Sequence, residues 1–253
     1  MSPVATPSKP KTRAAKSTPA SEPTGRARVA VKSAAALTLS SKNYSSWSLR
    51  GWLMARIAGI EFEEIVIPLD LPETQAAIRK HSPSGRVPVL LHRGLAVWES
   101  LAIAEYLNDL KPEAGLWPPS AAARAHARSI STEMHAGFAE LRDKMPMNIR
   151  ASYPGKGMTP GVRADIERIT GLWRDCRKRF SAAFDKDDGF LFGTFGAADA
   201  MYAPVVTRLR TYGVKLDKDT DAYCTAVMNH PAMKDWIDAA KHEPWLIAEA
   251  ELA

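Results

Sequence analysis

Two short pairs of side chains carry the chemistry that can be read first. Ser45 and Ser46 end a polar stretch (40–46) and stand directly before Leu49, Trp52, Leu53, Ile57 and Ile60. Those apolar positions follow helical spacing, and Gly59 predicts the stop. A helix start offers free backbone N–H groups and the positive end of the helix dipole. A hydroxyl placed there can cap the helix or help to hold an anion. Glu99 and Ser100 open a second helical pattern through Ile103, Tyr106, Leu107 and Leu110. The carboxylate can pair an ammonium, while the hydroxyl and the helix-start N–H groups can receive a carboxylate. A plain capping pair would read the same way.

The elements that must position these residues form two sets. Residues 36–39 read as a short strand, and the first helix follows the polar loop. Residues 62–68 alternate as a strand and 73–80 suit a short helix. Residues 87–91 and 96–98 are two strands around a His92-Arg93-Gly94 hairpin, and the helix through Ile103 comes next. This β-α-β-α-β-β-α order predicts a compact α/β unit with a right-handed first crossover. Residues 111–120 hold three prolines and a glycine and read as a linker. Beyond it only helical patterns occur. One runs through Ile130, Met134, Phe138, Leu141 and Met145, and another through Val162, Ile166, Ile169, Trp173, Cys176 and Phe180. A third runs from Ala198 to Leu209, and a last one through Met233, Trp236, Ile237 and Ala240. The domains expected are therefore a tail (1–34), an α/β unit (35–111), a linker (112–120) and an all-helical unit (121–253).

Charge and cysteine usage narrow the function classes. The net charge of +6 comes wholly from residues 1–36, where seven basic residues face Glu22 alone. The remaining 27 basic and 27 acidic residues balance, so a specific nucleic-acid partner is not expected. The tail is rich in Pro, Ser, Thr and Ala and has no aromatic residue, which predicts disorder. It lacks the apolar stretch of a secretory signal, and no apolar run approaches the length that spans a bilayer. Cys176 and Cys224 form no C-x-x-C and no metal-ligand cluster. Cys176 lies in the apolar seam of its helix and reads as a buried structural thiol. Nothing in this pattern calls for an oxidising compartment, so a cytoplasmic protein is expected.

Three stretches together resemble the glutathione S-transferases of the serine type. Asn43-Tyr44-Ser45-Ser46-Trp47-Ser48-Leu49-Arg50, followed by Gly59-Ile60-Glu61-Phe62-Glu63, is similar to their first loop, helix and strand. Ser82-Pro83-Ser84-Gly85-Arg86-Val87-Pro88-Val89-Leu90 is similar to the approach to their third strand. Residues 99–107 (ESLAIAEYL) resemble their third helix. The resemblance covers about residues 35–250. It implies a thioredoxin-like α/β N-terminal domain, an all-α C-terminal domain, reduced glutathione as co-substrate, no metal, and a homodimer.

The site roles follow from that resemblance. A free cysteine thiol has a pKa of about 8.5, so an enzyme that uses glutathione must stabilise its thiolate. Counting back from Gly59-Ile60 puts Ser45 at the thiol-activating position, with Ser46 next and Tyr44 as the rival. Val87 would meet the cysteinyl part of glutathione through its backbone, shaped by Pro88 in a cis-proline turn. Arg86 would face the glycine carboxylate, and Glu99 with Ser100 the γ-glutamyl end. Trp47, Met134 and Phe138, with His135 and Arg142 on the same helical stretch, are candidates for a pocket holding a small hydrophobic electrophile. Trp47 stands where zeta-class relatives, which include maleylacetoacetate isomerases, commonly carry cysteine, and this argues against isomerase activity. Serine at position 45 likewise argues against omega-like disulfide chemistry. In Phe195-Gly196-Ala197-Ala198-Asp199, glycine replaces the usual Ser or Thr of a capping box, which leaves only Asp199 to reach back in a structural role. Pro204 predicts a kink in the helix that follows.

Overall fold

A computed structural model describes residues 34–180 and 186–252. The basic tail anticipated at 1–34 lies outside them, apart from its last residue. A four-stranded sheet has the order β2-β1-β3-β4, with β1 (Ala35–Ser40), β2 (Glu63–Ile67), β3 (Val89–His92) and β4 (Leu95–Trp98). β1 runs parallel to β2 and antiparallel to β3, and β3–β4 is a hairpin that turns at Arg93-Gly94, both at positive φ. Helix α1 (Ser46–Ile57) makes the crossover from β1 to β2. The short α2 (Thr74–Arg79) precedes β3, and α3 (Ser100–Leu110) follows β4. Leu37, Leu39, Leu49, Leu53, Leu90 and Ile103 are fully buried between sheet and helices.

The rest of the described chain is helical: α4 (Ala121–Ala136), α5 (Ala139–Lys144), α6 (Pro160–Phe180), α7 (Ala197–Thr211), α8 (Lys218–Asn229) and α9 (Pro231–Lys241). The two-part architecture agrees with the sequence reading. Two local features differ from it. The stretch from Ile130 to Met145 is two helices, because Phe138 adopts a left-handed conformation (φ +62°) after Gly137, and a Cβ on Gly137 would lie 2.9 Å from the Glu133 carbonyl oxygen. Helix α8 was not anticipated. It starts at Asp217, whose carboxylate accepts from the N–H groups of Asp219 and Thr220. Leu116 and Trp117 of the 111–120 connection join the core.

Helix α7 runs through the centre of the helical unit and packs on α1 and α4. It is continuous through Pro204, whose carbonyl oxygen is taken up by Thr207 Oγ1 and Arg208 Nη1. Gly196 supplies no capping side chain, so Asp199 does the work of that helix start. Its carboxylate accepts from Gly196 N–H at 3.0 Å and from Leu191 N–H at 3.1 Å. Burial raises the Asp199 pKa to about 6, against the opposing pull of these hydrogen bonds. A carboxyl whose folded pKa lies above its unfolded value binds protons more tightly when folded. Its contribution to stability therefore falls as pH rises from about 4 to about 6, by up to about 3 kcal/mol. Chemical denaturation of the wild type and of Asp199→Asn across that range should show this downward component in the wild type and not in the variant.

Candidate active site

The first loop and α1 set the geometry. Ser41 carbonyl accepts from the N–H groups of Tyr44 (3.1 Å) and Ser45 (2.8 Å), closing a turn that ends where the helix begins. Ser45 is the N-cap, with extended backbone (φ −83°, ψ 93°). Its hydroxyl accepts from Ser48 N–H at 3.3 Å and donates to Ser48 Oγ at 2.8 Å. Ser48 Oγ in turn accepts from Ser40 N–H at 2.9 Å, which pins the hydroxyl pair to the end of β1. Ser45 and Ser48 are buried, and Ser46 is half-buried.

A cavity of about 540 Å³ opens beside this turn. Tyr44, Ser45, Ser46 and Trp47 form one wall, and Arg86 and Val87, just before β3, form another. Glu99 and His135 close it from α3 and α4, and Leu69, Gln75 and Ile78 come from the β2–α2 segment. Of the residues singled out from the sequence, Ser45, Ser46, Trp47, Arg86, Val87 and Glu99 thus share one cavity. Pro88 and Ser100 sit buried immediately behind it; the Val87–Pro88 peptide is cis. Met134 and Phe138 do not line it: both point into the core, where α4 ends and α5 begins.

Glu99 holds an uncommon backbone conformation, φ +68° and ψ 135°, for a residue with a side chain. Such strain persists only where the surroundings enforce it. Here the constraint is the direct passage from β4 into α3, with Ser100 fully buried and its hydroxyl 3.8 Å from Met201 Sδ. The Glu99 carboxylate reaches to 3.6 Å from His135 Nε2. Burial pushes the imidazole pKa down, Glu99 pulls it up, and Arg50 and Arg142 push it down again. The net effect is a lowered pKa.

Trp47 is held on several sides by cations and rings. The guanidinium of Arg50 lies 4.4 Å from its ring centre, that of Arg142 5.0 Å, and the His135 ring stands edge-on at 5.0 Å. Arg50 is wholly buried and donates from Nε to Met201 carbonyl at 3.0 Å, tying α1 to α7. Arg142 donates to the carbonyls of Met134 and His135 and so closes the end of α4. The indole is therefore a rigid, positively flanked wall of the cavity.

Tyr44, the rival hydroxyl, is committed elsewhere. Its OH donates to Glu251 Oε1 at 2.5 Å and accepts from Arg150 Nη2 at 3.1 Å. Neither Cys176 nor Cys224 lies at the cavity. Both are fully buried and unpaired, and burial pushes each thiol up to about 12. Among the described residues no group of His, Cys, Asp and Glu could hold a metal ion.

With this geometry in view, the likeness to known proteins is specific. The chain matches the glutathione S-transferase N-terminal domain over residues 44–110 and the C-terminal domain over residues 121–239. It belongs to the glutathione S-transferase family. A probable maleylacetoacetate isomerase of Caenorhabditis elegans is 31% identical over 128 residues, which are 50% of this chain and 59% of the worm protein. The chain thus spans less than two thirds of that relative. A glutathione S-transferase L1 of Arabidopsis thaliana is 23% identical over 191 residues, 75% of this chain and 71% of the plant protein. Among solved structures, a glutathione transferase homologue from Burkholderia, with bound glutathione, superposes with a TM-score of 0.62 at 20% identity. It covers 83% of this chain and 99% of its own. The thioredoxin-like α/β domain followed by a helical domain is the fold they share.

Sequence reasoning passed over Gly51. Its position in α1 is occupied from outside: a Cβ there would lie 2.7 Å from Pro88 Cγ and 2.9 Å from Pro88 Cβ. A glycine inside an apolar helix was the available signal, since it costs about 1 kcal/mol against alanine unless something must approach closely. Gly51→Ala should therefore destabilise by about 1–3 kcal/mol through overpacking, despite the gain in helix propensity. Denaturant unfolding measures that loss.

Proposed function

We propose that this protein is a glutathione transferase that binds reduced glutathione in the cavity described above and directs its thiolate at a small hydrophobic electrophile. The observation that carries the reading is the convergence of Ser45, Val87, Arg86 and Glu99, from three separate segments, on one cavity. Glu99 receives the γ-glutamyl ammonium, and the start of α3 at Ser100 its carboxylate. Val87 takes no part in the sheet ladder, which starts at Val89, and its backbone is left for the cysteinyl unit. Arg86, exposed at the cavity rim, faces the glycine carboxylate.

Ser45 activates the thiol. Its oxygen is fixed by the Ser48 N–H, and its proton rests on Ser48 Oγ. When sulfur arrives, the Ser45 proton turns to it while the Ser48 N–H stays on the Ser45 oxygen. Ser40 N–H keeps Ser48 in place throughout. The thiolate thus gains a donor backed by a hydrogen-bonded chain, close to the positive end of α1. Trp47 then forms the wall on which the electrophile rests, and holding both partners makes the attack effectively intramolecular.

The worm relative's name supports a second reading, a glutathione-dependent isomerase, and a peroxidase or a non-catalytic glutathione-binding module would use the same cavity. Product analysis with a panel of electrophiles separates them. The setting proposed with this function is a cytoplasmic homodimer in detoxification. Its supports are the two buried free thiols and the exposed Leu95 and Trp98 on β4, an edge strand. Among the described residues no helix is long and apolar enough to cross a membrane.

Two measurements test the reading. Calorimetry should show saturable glutathione binding, weakened roughly ten- to a hundredfold in Glu99→Ala by loss of a charge-assisted contact. Absence of binding at millimolar glutathione would sink the enzymatic reading. Thiolate absorbance, titrated in the binary complex, should move toward the free-thiol value in Ser45→Ala, with a roughly ten- to 150-fold fall in turnover. Ser46→Ala and Tyr44→Phe should move it less. A larger shift in either of those would reassign the thiol donor.

A further inference from the structure

We propose that Glu243 and Glu251, in the segment following α9, are positioning residues: they lock the 41–45 loop from outside the α/β unit and so hold Ser45 at the cavity wall. This rests on the reading of Ser45 as donor to the thiolate. Glu243 spans the loop with both carboxylate oxygens. Oε1 accepts from Lys42 N–H at 2.6 Å and Oε2 from Asn43 N–H at 3.0 Å. Both residues are buried, so these N–H groups need a partner, and a bidentate carboxylate supplies it. Trp236 Nε1 donates to the Lys42 carbonyl at 3.0 Å. Asn43 is enclosed by the N–H groups of Ile149 and Arg150 and by the Asn148 side chain.

The next residue is tied to the far end of the same segment. Glu251 accepts from Tyr44 OH at 2.5 Å, from Asn148 Nδ2 at 3.0 Å and from Tyr153 OH at 3.0 Å. Arg150 joins the two ends: it donates to the carbonyls of Glu243 and Trp245 and to Tyr44 OH. Burial pushes the Glu251 carboxyl up, but the hydrogen bonds from Tyr44, Tyr153 and Asn148 and the charge of Arg150 outweigh it and hold the pKa down. Lys42, Asn43 and Tyr44 are thus fixed one after another, and the Ser41 turn passes their placement directly to Ser45.

The strap owes its own place to these polar bonds. Its regular structure is one turn, Ala248–Ala250, Leu246 is 72% exposed, and its apolar packing is confined largely to Ala250 and Leu252 at the far end. With so little apolar burial, removing a carboxylate should release the loop without unfolding the domain.

The test compares Glu243→Ala, Glu251→Gln and a control, Val227→Ala, which empties a buried position of α8 far along the helical unit. For each full-length protein, amide hydrogen exchange over residues 41–47, melting temperature and thiolate titration with reduced glutathione are measured. In both strap variants exchange should rise roughly tenfold or more, and the thiol should ionise about half a pH unit or more higher. Val227→Ala should lower the melting temperature at least as much and move neither reading. An unshifted titration in both strap variants overturns the proposal, as does an equal shift in the control. If the wild type itself binds no glutathione, the proposed function fails and the proposal with it; binding by the wild type with unshifted variants sinks the strap alone.

Discussion

A helix start at a cavity wall has two conflicting duties, and the rest of this structure depends on how α1 meets both. Its first N–H groups must be capped for the helix to hold, yet some must stay open for a ligand. Ser45 resolves the conflict by capping only Ser48 N–H. The N–H groups of Ser46 and Trp47, at the cavity wall, have no acceptor among the described residues. That economy works because Ser48 is a serine as well. Its hydroxyl links the cap to Ser40 on β1, so the site is anchored in the sheet rather than in a free loop.

Helix α1 is also where the two halves of the fold meet, and several of the contacts it makes there bear on the cavity. Arg50 reaches α7 through Met201 carbonyl, and Ser100 at the start of α3 touches the same residue's sulfur. Gly51 lets Pro88 lie against the helix backbone. The Ser41–Ser45 turn, the turn before β3 and the start of α3 are thereby referred to one rigid element. Buried cations around Trp47 follow from this arrangement. Arg50 and Arg142 are needed to close carbonyls at the junction, and the π-face of Trp47 partly offsets the cost of keeping their charges out of water. Burial holds both guanidiniums below their usual pKa.

How far the sequence could be read depended on the range of the interaction. The α/β unit was legible because its strands and helices are local patterns, and Ser45, Val87 and Glu99, which line one cavity, were singled out because each stands in one of the three stretches that resemble the family. Helix α8 was not, since its pattern, with Thr220, Tyr223, Cys224 and Val227 as the buried face, is mixed and polar. The break at Phe138 was missed because the apolar spacing of Met134, Phe138 and Leu141 continues through it while the backbone does not. The same spacing led Met134 and Phe138 to be taken for cavity residues. Periodicity reports that a face is buried, not whether it is buried against a cavity or a core.

The loop itself shows the limit most sharply. Residues 40–46 are polar, and their order in the sequence says only that they turn. What fixes them comes from about 100 residues away at Asn148 and Arg150, and about 200 away at Glu243 and Glu251. Closing so long a loop costs little more than closing a short one, because the entropy grows only as the logarithm of length. A chain can therefore recruit its last residues to steady its first loop at small expense. A polar loop gains most from this, since it lacks apolar side chains to bury. The serine at the cavity wall is therefore placed by residues whose role no local pattern in the sequence could reveal.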